Sequence, residues 1–287
     1  MAESHVTPTL RDLVWLLPSH DDEAQLARLE QIAKAQGLGL DNRLGQRDGS
    51  APKGAGWLTV FDHPGAVSSA EPSRLLIVLP EKVEDLLERL EAGQDTSNGA
   101  LVEASVLLAF ANYLIEQGAR SVIQLDADRS ANETPSGDLP MGHQHDCPLG
   151  QFASLPVPVG AKAVWGADTF LYTTRGQRTG GTPQTDLTGI GRILVHGPGI
   201  VLTPGTWQLE VTFAVDTDGD AIDLRFDWGG SAAYTTLHQK VKQTGRYSLE
   251  MTREWTENEG AEFRIWIEHG LLHGSMEMLE AKLSRVA

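Results

Sequence analysis

The sequence predicts two architectures in tandem: a small three-layer α/β domain followed by an antiparallel β-sandwich of jelly-roll type. Three observations predict this. Residues 13–17, 57–61, 75–79 and 121–125 are short, nearly continuous apolar runs separated by helical patterns, as strands of a parallel sheet covered on both faces require. From residue 162 onward every apolar segment is short and strand-like, with Gly, Pro and Asp between segments. Within that half, Trp207, Leu209, Val211, Phe213 and Val215 alternate strictly with polar residues, and Ile222, Leu224, Phe226 and Trp228 do the same after an Asp-rich break. Only a strand sends alternate side chains to opposite faces, so each run has one apolar face that a second sheet must cover. The short Asp216-Thr-Asp-Gly-Asp220 connection predicts that the two runs pair as a hairpin.

The elements follow in order. The first apolar run stops at Pro18, and Ser19-His-Asp-Asp-Glu23 supplies a cap and negative charge for a helix with Leu26, Leu29, Ile32 and Ala33 on one face, closed by Gly37. Residues 38–56 are Gly, Asp, Asn and Arg without periodicity and read as a loop. Pro80 and Glu81 open a helix with Val83, Leu86, Leu87 and Leu90 at i, i+3, i+4, i+7, closed by Gly93. Asn98 caps a longer helix over 101–117 that is apolar nearly all round and therefore buried. The expected division is 1–126 for the α/β domain, 127–160 for an irregular linker rich in Ser, Asn, Pro, Gly and His, and 161–287 for the sandwich.

Composition narrows the function classes. The chain has 287 residues and a formal net charge of −16, with no basic run, which disfavours nucleic acid and anionic lipid as partners. Its one cysteine, Cys147, leaves no intramolecular disulfide framework. The amino terminus lacks a basic segment followed by an apolar one, so the expected location is cytoplasmic, with signal-independent export as the alternative. No membrane span is expected, because the most apolar window, 100–115, is short and contains Glu103 and Asn112.

Four groups of residues are candidates for chemistry. Asp216, Asp218 and Asp220 place oxygens at alternate positions, as a Ca²⁺ site requires, and resemble the short aspartate-rich loops of thrombospondin type 3 repeats. Ala221 stands where such loops carry glycine, no bidentate Glu closes the loop, and an ordinary acidic hairpin turn has the same composition. His143, His145 and Cys147 offer metal ligands at i, i+2, i+4, with His63 as a further one, against the alternative of solvated linker histidines. In a parallel sheet ligands sit beyond the strand carboxyl ends, where His20, Asp21, Asp62, His63, Asp126 and Asp128 are expected; each is equally an ordinary cap or turn former.

The fourth group lies on the sandwich. Asp223, Arg225 and Asp227 share the polar face of one strand, and Glu262, Arg264, Trp266 and Glu268 that of another. A sugar site needs this mixture, with an aromatic plane for the apolar face of a pyranose and charged groups for its hydroxyls. In strand number, in the Gly197-Pro-Gly-Ile-Val-Leu-Thr-Pro-Gly205 segment and in aromatic placement, the C-terminal half resembles β-sandwich modules of carbohydrate-binding type. That resemblance implies binding of a glycan or polysaccharide, with Trp266, Arg264, Asp223 and Asp227 as contacts and no catalysis in the sandwich. Two other readings stay open. One is a glycan-modifying or glycosyltransferase-like enzyme with its centre in the α/β domain; the other is an assembly protein in which the sandwich is a protein–protein interface.

Overall fold

The structure, a computed structural model, describes residues 13–19, 22–46, 56–68, 70–80, 82–92, 96–123, 147–173 and 183–287. Among these, residues within Met1–Asp95, Phe110–Met141 and Ala153–Pro156 form one compact unit, and those within Thr96–Ala109, Gly142–Phe152 and Val157–Ala287 form the other.

The first unit is built on β1 (Leu13–Leu16), β2 (Gly39–Asn42), β3 (Trp57–Phe61), β4 (Leu75–Leu79) and β5 (Arg120–Ile123), in the order β2-β3-β1-β4-β5. Every pairing in this sheet is parallel. The central strand β1 is buried on both sides, as its unbroken apolar run requires. Val14 and Leu16 pack with Leu29 and Ala33 of helix α1 (Asp22–Ala35). Trp15 points the other way and meets the Phe110 ring edge-on at 5.4 Å. Short helix α2 (Pro64–Val67) and helix α3 (Val83–Glu91) complete the crossovers. Strand β2 corrects the reading of 38–56 as loop throughout. Its four residues carry one apolar side chain, Leu40, too little for a period to register, and it forms by adding to the edge of β3.

Helix α4 (Ser97–Glu116) is 20 residues long and by length and composition could cross a membrane, but more than half of its most apolar window is buried against protein. Ala104, Leu108 and Ala111 are fully buried, which is the environment of a core helix. Its first half belongs with the sandwich: Ser105 Oγ accepts from the Val201 N–H at 2.9 Å, and Asn258 donates to the Ala109 carbonyl at 3.2 Å. Residues 96–109 therefore cluster with the second unit, although they fall inside the 1–126 segment marked out by sequence.

The second unit is an antiparallel β-sandwich. Its strands are β6 (Lys162–Gly166), β7 (Leu171–Tyr172), β8 (Gln184–Asp186), β9 (Arg192–Leu202), β10 (Gly205–Asp216), β11 (Ile222–Gly229), β12 (Tyr234–Val241), β13 (Gly245–Trp255), β14 (Glu259–Ile267) and β15 (Ser275–Arg285). One sheet runs β13-β10-β15-β6, with β8 also on β15, and the other runs β12-β11-β14-β9-β7. The expected strands 192–196 and 200–202 are one continuous β9, because Gly197 and Pro198 stay in the ladder and Gly199 is accommodated as a bulge.

The hairpin expectation is overturned. Strands β10 and β11 alternate as expected, with Phe213 and Phe226 fully buried, but they do not pair with each other. Each lies in a different sheet, so residues 217–221 form an arch across the sandwich. The turn itself has the conformation expected of Asp-Gly: Asp218 (φ 48°) and Gly219 (φ 94°) are left-handed, and the Asp220 N–H donates to the Thr217 carbonyl at 3.0 Å. Alternation shows that a strand has an apolar face; it does not show whether the next strand lies beside it or opposite.

The core between the sheets is a chain of rings: Phe213 to Phe226 at 5.3 Å, Phe226 to Phe263 at 6.2 Å and Phe263 to Phe170 at 6.5 Å. Truncating the middle of this chain, Phe226→Ala, is expected to destabilise the sandwich by about 3–5 kcal/mol. Urea unfolding followed by near-UV circular dichroism measures this, and a cost under ~1 kcal/mol would contradict the packing described.

Candidate functional site

Because Phe226, Trp228, Phe263 and Ile265 commit one face of β11 and β14 to the core, their neighbours form an outer polar face. Register places Tyr234, Gly229, Glu262 and Pro198 in one row across β12, β11, β14 and β9. The next row is Thr236, Asp227, Arg264 and His196, and the one after holds His238, Arg225 and Trp266. Strand β9 skips Gly199 and Leu194 in its pairing with β14, and such bulges bend a strand and re-aim its side chains.

Over the first two rows lies a cleft of ≈ 670 Å³, lined among others by His196, Tyr234, Glu259, Glu262 and Arg264. Its floor is rich in glycine. Any side chain at Gly230 would stand where the Glu259 carboxylate sits. Gly229, between Tyr234 and Glu262, leaves the gap across which the phenol reaches.

Glu262 is the hub. Its Oε2 accepts from the Tyr234 hydroxyl at 2.7 Å and from Arg264 at 2.5 Å, and its Oε1 lies 3.5 Å from His196 Nδ1. Burial pushes the Glu262 carboxyl up, but the bonds from Arg264 and Tyr234 and the Arg264 charge outweigh it and hold the group below its ordinary 4.5. The partners respond in kind. Arg264 is raised chiefly by its bond to Glu262, and Tyr234 is pushed up to about 12 by burial and by donating to a carboxylate. Glu259 is lowered by its bond from Ser231, at 2.8 Å, with help from the Ala232 N–H. The cleft therefore presents ionised carboxylates, one guanidinium and a neutral phenol.

Arg264 also lies over the Tyr234 ring at 4.3 Å, and Arg225 lies over the Trp266 ring at 4.3 Å. Of the four expected contacts, Arg264 lines the cleft and Trp266 lies further along the same face, half-buried and outside the core. Asp227 is 6% exposed and sits between Thr236, which donates to it at 2.8 Å, and Arg225 at 3.2 Å, so it supports its neighbours from beneath. Asp223 pairs loosely with Lys240 at 3.6 Å, two residues further along β11 than Arg225. Tyr234, His196 and Glu259 escaped sequence reasoning. The Gly229-Gly230 pair, where a strand face suddenly lacks side chains, was the available signal.

The candidate calcium residues lie at the arch. Asp216 Oδ1 accepts from the Asp218 N–H at 3.1 Å and from Thr244 Oγ1 at 2.9 Å, an arrangement that stabilises the arch. Among the described residues, no three His, Cys, Asp or Glu side chains are grouped closely enough to hold a metal ion on their own. His143 and His145 lie outside the described residues; Cys147 is half-buried, and its carbonyl accepts from Gly150 and Val164. In the α/β unit, His20, Asp21, Asp126 and Asp128 lie outside the described residues. Asp62 accepts from the Gly45 N–H at 2.7 Å, and His63 Nδ1 accepts from the Gly65 N–H at 3.0 Å as the cap of α2. Both side chains are thus engaged in shaping loops.

No protein-family model matches the chain, and no curated protein matches it. Solved structures do. One is the C-terminal family 6 carbohydrate-binding module of LamC from Zobellia galactanivorans, at 14% identity and a TM-score of 0.31, covering 43% of this chain and 99% of that one. Another is the xylan-binding domain CBM22-1 of Xyn10C from Paenibacillus barcinonensis, at 11% identity and a TM-score of 0.28, covering 43% and 85%. A third is the acetyl xylan esterase Est2A from Butyrivibrio proteoclasticus, at 14% identity and a TM-score of 0.31, covering 43% of this chain and 34% of the esterase.

Two outcomes test the electrostatics of the site. Of the four tyrosines, Tyr234 is expected to ionise near 12 in an alkaline titration followed by phenolate absorbance, and Tyr234→Phe removes that late step. Its folded value lies above its ordinary 10.0, so its contribution to stability is present below pH 10 and lost as pH rises towards 12. Glu262 has the opposite sign, with stability present above 4.5 and lost as pH falls. For the arch, millimolar Ca²⁺ is expected to leave the melting temperature unchanged if it is an ordinary acidic turn, and a rise of several degrees would establish a metal role for Asp216, Asp218 and Asp220.

Proposed function

We propose that the outer face of the β12-β11-β14-β9-β7 sheet is a glycan-binding surface and that the sandwich acts as a binding module. The cleft network of Glu262, Tyr234 and Arg264 carries this reading. Sugar hydroxyls are both donors and acceptors, so they suit a cleft that offers ionised carboxylates beside guanidinium and phenol donors at fixed positions. Pre-formed hydrogen bonds among those groups mean that little ordering is left to be done on binding.

Binding fits the electrostatics better than acid catalysis on a glycosidic bond. That chemistry needs a carboxyl group held protonated near neutral pH beside an ionised one. Glu259 and Glu262 are both lowered, so each is an acceptor and neither is a proton donor.

The test is a glycan array covering neutral, amino and uronic polysaccharides, followed by calorimetry on the best ligand. Glu262→Gln removes the charge that holds Arg264 and Tyr234 and is expected to weaken binding about tenfold or more, the cost of a charge-assisted hydrogen bond. Absence of binding to every glycan class, with the protein folded, would overturn the proposal.

A further inference from the structure

We propose that Arg225 is a specificity-determining residue that occupies the sugar-stacking face of Trp266, so that a ligand ring reaches the indole only by displacing the guanidinium. This inference rests on the glycan reading above and goes beyond it, by naming a competitor within the chain for the ligand's own place.

The argument begins with register. Arg225 and Trp266 are direct cross-strand partners on the outer face, which places a planar cation and a planar ring at the closest spacing a sheet allows. The guanidinium carbon stands 4.3 Å from the ring centroid. A pyranose stacking through its C–H face needs that same plane at a similar height. Guanidinium and sugar therefore compete for one surface.

The two arginines of this face are held unequally. Arg264, over Tyr234, is fixed by its 2.5 Å bond to Glu262. Arg225 has one charged contact, Asp227 Oδ2 at 3.2 Å. Its Nε, like that of Arg264, is covered and has no hydrogen-bond partner among the described residues, so swinging outward gives that donor access to water or to a ligand hydroxyl. Asp227 keeps its bond from Thr236 when Arg225 leaves. Asp223, two residues along the same face and held only at 3.6 Å by Lys240, offers a second carboxylate to the displaced guanidinium. His238, the partner of Arg225 on β12, is turned to Glu268 at 3.1 Å and makes no ion pair with Asp227 or Asp223.

The consequence is a selective surface. A ligand that only stacks must overcome the ring's attraction for the guanidinium, whereas one that also offers oxygens to the departing arginine recovers that interaction. The experiment compares wild type, Arg225→Ser, Arg225→Ser with Trp266→Ala, and Trp266→Ala alone, by calorimetry with the neutral glycan that binds best on the array. Since Asp227 is buried, Arg225→Ser with Asp227→Asn supplies a variant without an unpaired carboxylate. Removing Arg225 is expected to tighten binding about 2- to 5-fold, the equivalent of an exposed cation–π contact, and the gain is expected to vanish in the Trp266→Ala background. Independently of any ligand, acrylamide quenching of the Trp266 fluorescence, obtained as the difference from Trp266→Phe, is expected to rise in Arg225→Ser. Equal or weaker binding by both folded Arg225 variants, or unchanged quenching, overturns the proposal and leaves the glycan reading standing. Absence of binding by wild type and by every variant overturns the glycan reading, and this inference with it.

Discussion

The structure of the second unit depends on one constraint: two sheets share one buried core, so the strands at its centre, β10, β11 and β14, surrender alternate residues to it. The ring chain from Phe213 through Phe226 and Phe263 to Phe170 is the visible product. What is left over on β11 and β14 has no freedom to be elsewhere. Asp227, Arg225, Glu262, Arg264 and Trp266 are on one surface because their neighbours are in the core. Core and site are two sides of the same alternation, and changing the register by one residue would exchange them.

On that surface the charged groups are paired with one another. Glu262 collects a phenol and a guanidinium, Asp227 a hydroxyl and a guanidinium, and both aromatic rings carry an arginine. In a half-buried environment this cross-pairing keeps the charges solvated by protein dipoles and fixes their positions. The two arginines differ in how firmly a carboxylate holds each one, Arg264 at 2.5 Å and Arg225 at 3.2 Å.

The sequence was most legible where a single physical rule acts alone. Burial on both faces made β1 an unbroken apolar run, and burial on one face made β10 and β11 alternate. It was least legible where geometry in three dimensions decides. Nothing in Asp216-Thr-Asp-Gly-Asp220 distinguishes a hairpin from an arch, since the same left-handed Asp218-Gly219 serves both. The same turn offered oxygens at alternate positions, and only the hydrogen bonds from Asp218 and Thr244 reveal that Asp216 is already engaged. Polar positions on β14 were readable from parity. Tyr234 was not, because its importance comes from Gly229, a residue whose contribution is the absence of a side chain.

The arches carry a kinetic consequence. Strand β10 lies between β13 and β15, so residues 205–216 acquire their two neighbours from segments about 40 and 70 positions further along the chain. During synthesis from the ribosome, a strand with a fully apolar side has no neighbour until residue 255 has emerged, and lacks its second until residue 285 has. The alternating runs that made this half easiest to recognise are thus the ones most exposed to aggregation in the nascent chain. The charged positions along their outer sides, Glu210 on β10 and Asp223, Arg225 and Asp227 on β11, are well placed to protect them in that interval.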